Sequence, residues 1–299
     1  MINLYKHRYY YLLLLPVIVG FILFNYIPMY GVTLAFKDYN MRLGILASPW
    51  TGFDYFERLF ESKIFWEVTR NTVVISILKI VFNFPAPILL ALLLNEIPAL
   101  RFKKFVQTVS YFPHFISWVV LSGIIIELLS PARGVINYLI TLFGGETVYF
   151  LAEPSKFRGI IVISDMWKTV GWGTIIYLAA MAGVDMEQYE AAYIDGASRF
   201  QIVKSITLPS ILPVISIVFI LNLGGILNAG FDQIFNLYNP TVYKTGDIID
   251  TYVYRVGFIN MDYSFSTAVN LFKNIIGLFL VVTTNTVIRR FNDGENALW

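Results

Sequence analysis

Six runs of apolar residues near twenty in length recur along this chain, at roughly 9–33, 70–94, 113–130, 159–183, 209–228 and 269–289. A helix of about 20 residues crosses the hydrocarbon of a bilayer. In that medium each backbone N–H and C=O must find its partner within the protein, which restricts such runs to helices. The fold class expected is therefore an all-α membrane protein with six transmembrane helices. Composition agrees: 57% of residues are hydrophobic and 14% charged, against about 25% charged in a soluble protein. A formal net charge of +2 gives no case for a nucleic-acid partner. The chain has no cysteine, which excludes disulfides and thiolate chemistry, and its two histidines, His7 and His114, lie far apart. The first run is too long for a signal-peptide core of about 7–15 residues and is followed by no small-residue cleavage site, so it reads as a retained span.

Six spans put both termini on one side of the membrane. With the N-terminus inside, the inner segments carry nine Lys and Arg over roughly 60 residues and the outer segments nine over roughly 100, a density that favours this orientation. Lys6, Arg8, Arg101, Lys103, Lys104, Arg289 and Arg290 all sit on the side expected to be cytoplasmic. The third run is short and carries Glu127, so its limits are the least defined, and Gly224, Gly225 and Gly230 loosen the end of the fifth.

The polar interruption between runs four and five, residues 185–208, has the pattern of two short helices joined at a glycine. Asp185 with Gln188, and Ser198 with Gln201, have the spacing of reciprocal N-terminal caps. Gly196 stands where the first helix must stop and the chain turn, a place for a residue free to take positive φ. Ala191 and Ala192 leave room for a foreign backbone. Phe200, Val203 and Ile206 give the second helix one apolar ridge, and Pro209 is expected to open the next span.

These residues also carry a resemblance. Glu190-Ala191-Ala192, three residues, Gly196, nine residues, then Ile206-Thr207-Leu208-Pro209 resembles the cytoplasmic signature of permease subunits in binding-protein-dependent ABC importers. The resemblance implies a type I ABC importer transmembrane domain, with a coupling-helix hairpin between helices 4 and 5 that docks on a separate ATPase. The coupling set it implies is Glu190, Ala191, Ala192, Asp195, Gly196, Arg199, Phe200, Val203, Ile206, Leu208 and Pro209. From Trp50 onward the chain is similar to the carbohydrate-uptake branch, in particular to oligosaccharide permeases of Gram-positive bacteria. The partners implied are a second homologous permease, an ATPase dimer that holds ATP and Mg²⁺, an extracellular solute-binding lipoprotein and a carbohydrate. The location implied is the bacterial cell membrane. This chain itself is expected to bind no cofactor and no metal. The domain division expected is residues 1–69 for the first span and an interfacial segment, 70–290 for the core transmembrane domain, and 291–299 for a cytoplasmic tail.

Polar residues inside the spans are candidates for the solute path, since ionisable groups there line cavities more often than lipid. Asp165 and Lys168 are three apart and can pair on one helix face. Trp167 and Trp172 are five apart and point different ways. Asn222 and Asn228, near the end of the fifth run, complete the set. Lys79 is expected to face protein or water, and Pro85 and Pro87 to bend the second span. Segment 229–268, with its aromatic, amide and carboxylate side chains, is expected by analogy with the family to be an outer loop that partly enters the mouth of the path.

No Gly-x4-Gly-Lys-Ser/Thr phosphate loop, Gly-x-Ser-x-Gly elbow or His-Glu-x2-His motif occurs, so the expectation is a transport subunit without its own ATPase. Two alternatives stay open on sequence. One is an ABC permease for a peptide, amino acid or phosphate. The other is an ion-gradient transporter using Asp165 and Glu127, which would leave the hairpin signature unexplained.

Overall fold

A computed structural model describes residues 8–291. All of the tail expected at 291–299 except Phe291, and Lys6 ahead of the first span, lie outside the described residues. Among the described residues the chain is helical, apart from one isolated bridge between Lys37 and Trp50. Among the described residues four helices are long and apolar enough to cross a membrane: α1 (Arg8–Phe36), α2 (Lys63–Asn95), α8 (Arg199–Gly224) and α10 (Tyr263–Phe291). Two bent pairs pass the same test together. They are α3 (Leu100–Phe115) with α4 (Trp118–Leu128), bent by 103°, and α6 (Pro154–Ala182) with α7 (Met186–Ile194), bent by 75°. Between these pairs lies the short helix α5 (Val135–Leu142), and after α8 comes α9 (Phe231–Leu237).

The third span departs most from expectation. It is no single helix over 113–130. Its 11-residue second half reaches only about 16 Å at 1.5 Å per residue, and the chain before it is a separate helix. Pro113 tightens the end of α3 into a 3₁₀ turn, and Ser117 starts α4 afresh by accepting the Val120 N–H at 3.4 Å. The second span also begins earlier than residue 70, at Lys63.

Pro209 stands in the first turn of the α-helical stretch Leu208–Gly224, as expected, but helical backbone already runs ahead of it. Helix α8 runs unbroken from Arg199, and its turn at Val203–Thr207 is wound as a π-helix. A proline inside a helix lacks a donor and pushes on the carbonyl four residues back. The wider turn gives that carbonyl room. The same device stands at Ile22–Tyr26, just ahead of Pro28 in α1.

The contacts divide the chain into two units. The first comprises the chain up to Lys63 with Val253–Asn274. Ala35, Leu59, Phe265, Ala268 and Val269 form its interior. Ser264 Oγ ties this unit by donating to Lys37 O at 2.6 Å and accepting the Tyr39 N–H at 3.1 Å. Arg58 pairs with Asp262 at 2.7 Å. The Arg8–Phe21 stretch of α1 buries no side chain at all, which costs nothing beside lipid tails as apolar as leucine.

The second unit is built around α6. Apart from Val162, its buried residues, Phe157, Ile161, Ser164, Lys168, Gly171, Thr174, Tyr177 and Met181, recur every three or four positions and make one continuous seam. One apolar cluster gathers Phe157 and Ile161 with Ile75, Leu121, Ile234 and Ile248. A second gathers Tyr177 and Met181 with Ala91 and Ile211. Between them on α6 lies a polar layer. Segment 229–252, part of the outer loop expected at 229–268, packs inward: Gln233, Ile234, Leu237, Val242, Ile248 and Thr251 are buried in this unit.

Candidate functional site

Two regions of the second unit bring together the residues singled out above. The first is the hairpin. Asp185 caps α7 one-sidedly, accepting the Glu187 N–H at 3.0 Å, and Gln188 does not complete a reciprocal box. At the second helix the box is complete, with Ser198 and Gln201 each capping the other. Gly196 takes φ +74°, and the Ala197 N–H reaches back to Ala192 O at 2.9 Å, the αL turn that releases a chain from a helix.

Glu190, Ala191, Asp195, Gly196, Arg199, Phe200 and Pro209 are exposed, while Ala192, Val203, Ile206 and Leu208 are half-buried. The ridge expected at Phe200, Val203 and Ile206 is therefore graded rather than uniform: Phe200 is 77% exposed, and Ile202 and Thr207 turn inward instead. Two apolar residues that sequence reasoning missed, Tyr193 and Ile194, are exposed as well, Ile194 by 87%. Their position at the end of α7, next to a glycine turn, was the available signal. Tyr189 OH bonds Thr207 Oγ1 at 3.1 Å, joining the two arms. Arg199 pairs with Glu96, just past the end of α2, at 3.4 Å.

The second region is a cavity of about 390 Å³ between α2, α6, α8 and the turn that follows α8. Asp165, Asn222 and Asn228 line it, as do Ser76, Lys79, Asn83 and Thr169. The expected pair of Asp165 with Lys168 does not form. Asp165 lies 3.3 Å from Lys79 across the helix interface and accepts from Asn83 Nδ2 at 2.8 Å. Spacing of three along a helix permits a pair, but the ammonium of Lys79, deep within α2, takes the carboxylate as its counter-charge instead.

Lys79 also donates to Gln233 Oε1 at 2.7 Å, and Gln233 in turn donates to Ile161 O and Ser164 Oγ. Gly230, at φ +99°, passes so close that a β-carbon there would lie 2.8 Å from Lys79 Nζ. Asn83 Oδ1 and Ser76 Oγ are buried without a partner among the described residues. A buried polar atom left unpaired costs about 1–3 kcal/mol, so the wall offers unfilled bonds to a polar guest.

Lys168, Trp167 and Trp172 take no part in the cavity. Lys168 donates to the carbonyls of Pro113, His114 and Ile116. Trp172 stacks on His114 with ring centroids 4.4 Å apart, and Trp167 is half exposed. Among the described residues no group of three His, Asp or Glu is placed to hold a metal.

Residues 83–293 match the family described as binding-protein-dependent transport system inner membrane component. The chain is 45% identical over 299 residues to the polygalacturonan/rhamnogalacturonan transport system permease protein YteP of Bacillus subtilis (strain 168), covering 100% of this chain and 92% of that one. It is 44% identical over 292 residues to Protein LplB of the same organism, covering 98% and 92%. Among solved structures it is similar to a chain of a bacterial ABC transporter involved in the import of the acidic polysaccharide alginate. That match has a TM-score of 0.90 at 41% identity and covers 97% of this chain and 98% of the other. A second crystal structure holds the alginate transporter in complex with an alginate pentasaccharide-bound periplasmic protein, and its matching chain gives a TM-score of 0.89.

Proposed function

This chain belongs to the family of binding-protein-dependent transport system inner membrane components, and from that membership we propose that it is the permease half of an ATP-driven importer that carries an oligosaccharide into the cell by alternating access. The observation that carries this reading is the hairpin, which holds Ile194 and Phe200 out to solvent around a glycine turn. Exposed apolar residues on a capped, braced element mark a surface meant for another protein.

In this reading the partner at the hairpin is an ATPase dimer, and ATP and Mg²⁺ are held there rather than by this chain. Glu190, Asp195 and Arg199 make the polar rim of that contact, and Ala191 and Ala192 admit the partner's backbone. Gly196 sets the angle between the arms. Phe200, Val203, Ile206 and Leu208 supply apolar area, and Pro209 with its π turn shapes the exit into α8. Closure of the ATPases on ATP draws the hairpins together, and a contact that differs between the two states is what shifts the equilibrium. A second homologous permease completes the pore, and an extracellular binding lipoprotein delivers the solute. The hairpin and both termini then face the cytoplasm, as the higher density of Lys and Arg on that side supports.

The cavity is the candidate solute path. Its volume falls in the range of about 300–1,000 Å³ common to small-molecule sites. Phe84 and Tyr177 with Asn83, Asn222, Asn228 and Asp165 combine ring faces and hydrogen-bonding edges, which suit the C–H faces and hydroxyls of a sugar. Carbohydrate as the solute class is also supported by the polysaccharide names of the relatives.

Reconstitution in liposomes with the second permease, the ATPase and the binding protein tests the whole reading. Uptake of galacturonate oligosaccharides that requires both ATP and the binding protein is the expected result. Uptake driven by an ion gradient without ATP would overturn it.

A further inference from the structure

One buried charge is used neither by the hairpin nor by the cavity. Lys168 is 8% exposed, and among the described residues no carboxylate lies within ion-pair distance of it. Its ammonium instead faces the break in the third span, donating to Pro113 O at 3.3 Å, His114 O at 2.8 Å and also Ile116 O. They lie at the end of α3, where carbonyls run out of helical donors, although Pro113 O also accepts the Ile116 N–H at 3.2 Å. A cation at a helix C-terminus also meets the negative end of the backbone dipole.

Two neighbours on α6 complete a seat for the break. A β-carbon at Gly171 would lie 2.0 Å from Ser110 O, so only glycine lets the end of α3 come this close. One residue on, Trp172 lies flat against His114, with 2° between the rings, and meets Phe115 edge-on at 5.6 Å. The ring of Trp118, the first residue of α4, is 5.6 Å from Lys168 Nζ. Both halves of the broken span thus rest on one stretch of α6.

The break has a consequence at the cavity. Helix α4 packs on α9, with Leu121 and Ile125 in the same apolar cluster as Ile234 and Leu237. Helix α9 carries Gln233, which holds Lys79 at the cavity wall. We propose that Lys168 is a positioning residue for the solute path: its ammonium keeps the third span bent, and the bent span seats α9 so that Gln233 holds Lys79 in place. The consequence for transport rests on reading the cavity as the solute path, whereas the bend is a property of this chain alone.

The bend is therefore tested on the full-length chain purified without partners. Spin labels at Val109 in α3 and Ile124 in α4, both exposed, report the distance across it. Wild type is expected to give one narrow distribution. Lys168→Met, which removes all three charge-assisted bonds, is expected to broaden it roughly twofold or shift it to longer distance. Lys168→Arg is expected to restore the narrow peak, and Trp172→Leu, which keeps the ammonium, to leave the peak in place. Lys168→Gln, milder at a buried site, is expected to fall between wild type and Lys168→Met, and it decides the matter if Lys168→Met fails to insert. A Lys168→Met or Lys168→Gln distribution as narrow as wild type overturns the proposal. So does a Lys168→Arg variant as broad as Lys168→Met, because packing rather than charge would then hold the bend. Failure of oligosaccharide uptake in the reconstituted importer would count against the solute path and leave this measurement unaffected.

Discussion

The hairpin and the polar layer of the second unit break the same rule in opposite directions. At the hairpin, large apolar side chains stand in the open: Ile194 is 87% and Phe200 77% exposed. At the polar layer, Gln233 and Ser164 are buried and Lys79 and Asp165 nearly so. Soluble folds avoid both arrangements, since exposed apolar patches invite association and buried charges pay for lost water. The two places also differ in how they are held. The hairpin is fixed mostly by bonds within itself, such as Ser198 with Gln201 and Tyr189 with Thr207, with one exposed tie from Arg199 to Glu96. The polar layer is fixed by bonds between residues 82 and 154 positions apart. A partner-facing surface built locally can keep its shape as helices shift beneath it. A cavity wall shared between helices changes whenever they do.

Four experiments break or sharpen this contrast. The largest effect is expected from Gly196→Pro. The site needs φ +74°, proline is fixed near −65°, and the strain of about 3 kcal/mol or more should lower ATP-dependent uptake at least about 100-fold. Membrane insertion should persist, as quantified by blotting. Next is Asp165→Asn, which leaves Lys79 without its counter-charge. Breaking such a pair costs about 3 kcal/mol, seen as a lower melting temperature of the purified chain, and Lys79→Gln in the same chain should recover most of it.

Phe200→Ala should weaken ATPase binding about tenfold, in the range of an interface anchor, without moving the melting temperature. A thermal loss there would mean that Phe200 packs within its own chain. The smallest effect belongs to Tyr189→Phe. Losing one hydrogen bond of about 1 kcal/mol should lower the melting temperature slightly and reduce uptake less than Phe200→Ala does.

The same contrast explains what could be read from the sequence. The glycine turn, both caps and the approximate limits of five spans depend on residues a few positions apart, and each was visible as spacing. Asp165 was visible as a charge inside a span, but its partner was not, because the nearest candidate along the chain was Lys168 and the one in space was Lys79. Gln233 carried no signal of its own, being one polar side chain among many in a segment expected to be an outer loop that partly enters the mouth of the path. The break in the third span was hidden because the residues across it are largely apolar, with only His114 and Ser117 polar. Pro113 followed by Ser117 at a capping position was the mark that the run contained two helices.

The two arms of the hairpin leave it differently. On one side α6 and α7 meet at a 75° corner, while on the other the second arm and the fifth span are one helix of 26 residues. The hairpin therefore hangs from a knuckle at Gly183 and is fused to a shaft at Phe200. In the proposed importer, torque at its tip would pass along this one helix, through the π turn at Val203–Thr207 and past Pro213, to reach Asn222.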